Sequence, residues 1–71
     1  MLTNREIEIL ELKKKGFSQK KISEKLNISP ASVSDFVSNV KRKLADSMNN
    51  LETVKKMKIQ YDKERNELKF D

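Results

Sequence analysis

The chain has 71 residues, room for one domain with a small core that buries only about 60% of its unfolded surface and so calls for extra support. Its net charge is +5, and it contains no cysteine and no histidine. That excludes disulfides, thiolate metal sites and the commonest general base. No apolar run approaches the roughly 20 residues of a membrane span, and no signal-peptide core is present, so a cytoplasmic protein is expected.

The first helix is expected to begin at Thr3 and to end before Gly16. Thr3-Asn4-Arg5-Glu6 has capping-box spacing, and Leu2 stands where it can staple onto Ile7. Ile9, Leu10 and Leu12 make a broad apolar surface, of which one residue should stay partly exposed. Lys13, Lys14 and Lys15 crowd the last turn, where cations complement the helix dipole. A phosphate clamp is the sharper reading of this triplet, and a solvated helix end the blander one.

Residues 19–40 read as a helix-turn-helix. Phe17 should turn inward, with Ser18 as the cap of the second helix. Ile22 and Leu26 lie four apart before Asn27, and Val33, Phe36, Val37 and Val40 recur at three and four after Pro30. Asn27-Ile28-Ser29 supplies a turn of the right length. Asn tolerates the left-handed backbone of a helix end, Ser29 can cap the next helix, and Pro30 suits its first turn. An ordinary helical hairpin in a larger core is the alternative. Lys20 and Lys21 oppose the dipole of the second helix, a conflict that a DNA phosphate would relieve.

The third helix should run from Pro30 through at least Leu44. Ser32, Ser34, Asp35, Ser38 and Asn39 lie off its apolar stripe, and short polar side chains let a helix sit deep in a groove. Lys41, Arg42 and Lys43 follow one turn later, within reach of flanking phosphates. The candidate DNA contacts are therefore Ser18, Gln19, Lys20, Lys21, Ser29, Ala31, Ser32, Ser34, Asp35, Ser38, Asn39, Lys41 and Arg42. Residues 1–49 hold ten Lys and Arg against six Asp and Glu, and residues 50–71 six against five, so the basic excess sits with this unit.

Residues 45–71 contain no Gly or Pro and are rich in Lys, Glu, Leu and Met, which predicts helix, weakest at Asn49-Asn50, where a break or bend has its place. A heptad register from Val37 to Leu68 is apolar at seven of ten core positions, with Lys58 and Arg65 spoiling its distal half. The expected dimer seam is Val40, Leu44, Met48, Leu51 and Val54, with Met57, Tyr61 and Leu68 packing on either chain. The alternative is a tail that folds back on its own domain. The fold expected is all-α: a three-helix helix-turn-helix domain over 1–44, and a long C-terminal dimerisation helix over 45–71.

Leu2-Thr3, Arg5-Glu6, Ile9-Leu10, Gly16, Ile22, Leu26, Ile28-Ser29, Val33 and the VSNVKRKL run at 37–44 together resemble the DNA-binding domain of LuxR-type bacterial regulators. They are also similar to the region-four helix-turn-helix of sigma factors and to archaeal Tfx-like regulators, the last through the Lys13–Lys15 triplet and the ISPASVS segment. The resemblance implies a compact helical domain whose third helix reads the major groove, often from a symmetric dimer. It also implies that Ser34, Asp35 and Ser38 face bases, while Ser32 and the start of the second helix touch phosphate. The chain departs from the LuxR pattern at Ser34, where that family often has lysine, and in its extended tail. No receiver or ligand-binding segment precedes the unit, so sensing within the same chain is not expected.

The function expected is a sequence-specific regulator of transcription that binds double-stranded DNA as a homodimer and uses no cofactor or metal. RNA polymerase or another regulator is a further candidate partner. A nonspecific architectural protein is one alternative, because phosphate contacts alone discriminate little. An adaptor that docks through its tail is another. An enzyme is the poorest reading, since the carboxylates are scattered, no phosphate-cradling glycine loop exists, and no nucleophile–base pair can form without His or Cys.

Overall fold

The computed structural model describes residues 2–47 and 52–70, at 47 and 52–54 by backbone alone. Among the described residues four helices precede a β-hairpin: α1 (Asn4–Lys14), α2 (Gln19–Leu26), α3 (Pro30–Ser47), α4 (Glu52–Met57), β1 (Ile59–Asp62) and β2 (Glu67–Phe70). Local signals set the helix ends. The Thr3 amide donates to Glu6 Oε1 at 2.7 Å, and the Glu6 amide donates to Thr3 Oγ1 at 3.2 Å, which completes the capping box. At the other end Gly16 takes φ +95°, and the Phe17 amide reaches back to the Leu12 carbonyl at 3.1 Å. Ser18 caps α2, and Asn27 closes it in the left-handed region, with φ 56° and ψ 45°.

Two apolar clusters share α1 and α3 as their common wall. Ile9, Ile22 and Val33 form the first, ringed by Leu12, Phe17, Leu26, Ile28, Phe36 and Val37. It lies between α1, α2 and the first half of α3, and it holds the helix-turn-helix together. Leu2, Leu10, Val40, Leu44 and Ile59 form the second, with Ile7, Met57, Tyr61, Leu68 and Phe70 against it. The broad apolar surface of α1 follows from this division, because adjacent Ile9 and Leu10 serve different clusters. Leu12 is the residue left half-buried. One buried ion pair ties the start of α1 to α3: Lys43 Nζ lies 2.7 Å from Glu6 Oε1, and the Glu6 side chain is 3% exposed.

The tail requires a correction. In place of one helix over 45–71, the described residues hold α3 up to Ser47, α4 over Glu52–Met57, and then an antiparallel hairpin over 59–70. Its register pairs Ile59 with Phe70, Gln60 with Lys69, Tyr61 with Leu68, and Asp62 with Glu67. Ile59, Tyr61, Leu68 and Phe70 therefore share one face, and that face packs onto the helices. Asp62 Oδ1 accepts the Glu64 and Arg65 amides at 3.1 and 3.2 Å, Asn66 takes φ 54°, and the Tyr61 hydroxyl donates to Asn66 Oδ1 at 2.8 Å. These bonds build a turn without glycine.

The expected seam residues are redistributed by the same event. Val40 and Leu44 are 0% and 1% exposed within the single chain, where they share a cluster with Ile59. Met57, Tyr61 and Leu68 pack against that cluster. Met48, Leu51 and Asn49-Asn50 lie outside the described residues, as does the side chain of Val54. A boundary at 44/45 does not separate two cores, since the second cluster draws on both sides of it. Burial explains the outcome: a 71-residue chain gains more by closing its own apolar surface than by leaving it for a helical seam.

Candidate nucleic-acid interface

At 100° per residue, α3 divides into a buried arc and a polar arc. Val33, Val40 and Leu44 are buried, with Phe36 and Val37 half-buried beside them. On the opposite side Ala31, Ser34, Asp35, Ser38 and Arg42 are exposed and form one continuous stripe. Half-buried Ser32 and Asn39 stand at one border of that stripe, and Lys41 at the other, next to Val37.

A hydrogen bond joins the N-terminus of α2 to this surface. Gln19 Nε2 donates to the Pro30 carbonyl at 2.7 Å, so the starts of α2 and α3 lie side by side. Ser18, Gln19, Lys20 and Lys21 are all exposed there. Lys21 makes only a solvent-exposed 4.0 Å pair with Glu24, which an incoming phosphate could displace at small cost. Packing brings Ser18, Gln19, Lys20 and Lys21 together with the candidates on α3, although seven residues separate Lys21 from Ser29 in the chain.

Ser29 is engaged before any ligand arrives. Its Oγ accepts the Ser32 amide at 3.1 Å and lies 2.9 Å from Ser32 Oγ, which caps α3. Ser29→Ala should lower stability by about 1 kcal/mol, read as a shift of the unfolding midpoint. Arg42 donates to Asn39 Oδ1 at 3.1 Å, which steadies a long cation one turn beyond Ser38. Lys41 lines a groove of about 330 Å3 with Lys13, Phe17, Val37, Leu68 and Phe70. Lys13 was legible only as a helix-end lysine, because nothing local places it across from α3. Lys14 Nζ donates to the Met57 carbonyl, so its role includes tethering α4.

Among the described residues no cluster of His, Cys, Asp or Glu could hold a metal ion, and no helix is long and apolar enough to cross a membrane. The surface offers a shallow convex polar helix flanked by cations. No curated protein and no solved structure gives a significant match to the chain. The sequence does match the family described as bacterial regulatory proteins, luxR family, over residues 1–57, which takes in α1 through α4 and stops short of the hairpin. Such domains are DNA-binding regulators of transcription. With four helices in place and most of its length matched, the chain belongs to the luxR family of bacterial regulatory proteins.

Proposed function

We propose that this protein regulates transcription by binding specific sites on double-stranded DNA as a homodimer, with α3 in the major groove. The observation that carries the reading is the exposed stripe Ala31, Ser34, Asp35, Ser38 and Arg42, framed by the exposed start of α2. Ser34, Asp35 and Ser38 meet base edges, where hydroxyls can donate or accept and Asp35 can accept from a cytosine amino group. Ser18, Gln19, Lys20, Lys21, Ser29, Ser32, Asn39, Lys41 and Arg42 contact the flanking phosphates.

Selection of bound sites from random duplex DNA at near-physiological salt tests this. A palindrome with half-sites about 10 base pairs apart is expected. Ser34→Glu should weaken binding at least about tenfold while leaving thermal unfolding unchanged, because Ser34 is exposed and the added charge meets phosphate. Normal binding by that variant would remove α3 from the groove. The architectural reading draws on the same stripe, whose side chains are short. Recovery of DNA without any motif, with affinity falling steeply with salt, would select it.

A further inference from the structure

We infer that the outer edge of β2 is the surface through which two copies of this chain pair, forming a four-stranded antiparallel sheet across a twofold axis. The inference rests on the homodimer in the preceding reading and names its interface.

β2 is hydrogen-bonded to β1 alone, and no described residue bonds to the backbone of its outer edge. An uncovered edge is a template for another strand. β1 is the covered strand: it carries buried Ile59 and packs on α3 and α4. Beside β2 the surface stays open, since Glu67, Leu68 and Phe70 border a groove that Phe17 and Val37 line, with Lys13 and Lys41 there but neither within ion-pair distance of Glu67. Two strands are also a marginal sheet, and pairing raises the count to four. Of the expected helical seam, Val40 and Leu44 are already enclosed within the single chain.

Charge fixes the occupant and its register. On the outer face Asp62 stands directly opposite Glu67, an unfavourable carboxylate pair. Asp62 is compensated by Lys69 at 3.6 Å and Arg65 at 3.9 Å, whereas Glu67 makes no ion pair with any described residue. In antiparallel self-pairing, opposed residues share a face, so the axis must pass through a residue position. Centred on Lys69, the pairing opposes Lys69 to the partner's Lys69. Centred on Glu67, it opposes two glutamates. Centred on Leu68, it places Leu68 against the partner's Leu68, and each Glu67 against the partner's Lys69. All three registers keep both apolar faces on one side, but only the one centred on Leu68 sets each Glu67 against a cation of the partner.

Sedimentation equilibrium of the full chain and two charge variants provides the test. Glu67→Lys should weaken dimerisation at least tenfold, because Lys would meet the partner's Lys69. It should not lower the unfolding midpoint of the monomer, because within the hairpin it replaces the Asp62–Glu67 repulsion by an attraction. Lys69→Glu should weaken dimerisation likewise. An equimolar mixture of the two variants should dimerise like the unaltered chain, since in the mixed pair both cross-axis contacts are again of opposite sign. An unaltered chain that stays monomeric at hundreds of micromolar, or variants that dimerise normally, would overturn the inference. So would a mixture without recovery. If dimerisation ignores these charges while site selection still returns a palindrome, the interface lies elsewhere and the regulator reading stands. If mixing restores the dimer but no DNA is recovered, the edge stands and the regulator reading falls.

Discussion

Leu44→Ala is expected to lower the unfolding free energy by about 2–5 kcal/mol. A domain of this length has a total stability on the order of 4–10 kcal/mol, so the variant should lose about half of it. Leu44 is 1% exposed and belongs to the cluster that joins Leu2 and Leu10 to Val40 and Ile59. Truncation there leaves a cavity where the start of the chain, α3 and the hairpin converge, and none of the three can close it without leaving its own register. Denaturant unfolding checks this, with the midpoint falling and the slope retained. The effect should not depend on protein concentration. Were Leu44 instead part of a seam between two chains, its loss would appear as a weaker dimer, and the size of the loss would change with concentration. A loss below about 1 kcal/mol would mean that the hairpin does not seal this side of the helices.

Glu6→Ala should cost about 3 kcal/mol, near the lower bound for breaking a buried ion pair, because Lys43 keeps partial access to water. The substitution removes two things at once: the return half of the capping box on the Thr3 amide and the ion pair with Lys43. Burial by itself pushes the Glu6 carboxyl up, but the Lys43 hydrogen bond, the Thr3 hydrogen bonds and the Lys43 charge outweigh it and hold the group below its usual value of 4.5. Its stabilisation is therefore complete above the unfolded-state value, and it is lost as pH falls through 4.5 toward the lower folded-state value. Unfolding midpoints measured from pH 7 to pH 3 should drop on the acid side, and Glu6→Gln should flatten that drop while lowering the plateau. An acid limb unchanged by Glu6→Gln would assign the pH dependence to other carboxylates.

The helix-turn-helix was legible residue by residue because its signals act over three or four positions. Thr3 with Glu6, Gly16, Ser18, Asn27, and Ser29 with Pro30 each set a helix end through bonds to nearby backbone. The polar arc of α3 follows from its period, so Ser34, Asp35 and Ser38 could be placed on the exposed side without a fold. Some features had no local signal. The Gln19 bond to the Pro30 carbonyl, which sets the two helix starts side by side, depends on how α2 crosses α3. The Glu6–Lys43 pair spans 37 residues and depends on α1 lying along α3.

The tail divides the two kinds of information most clearly. Residues 59–70 hold Ile, Tyr, Leu and Phe in short alternations among Lys, Glu and Arg. Over four residues a period of two and a period of 3.6 are nearly indistinguishable, and the charged residues around them favour a helix by only fractions of a kcal/mol each. Local chemistry therefore determined the helices, their caps and the polar face, because each rests on neighbours in the chain. The tertiary structure alone decided that Ile59, Tyr61, Leu68 and Phe70 form a hairpin. Burying that apolar face on Leu10, Val40 and Leu44 is worth about 1.5–3 kcal/mol for each fully enclosed side chain, more than the helix propensity forgone.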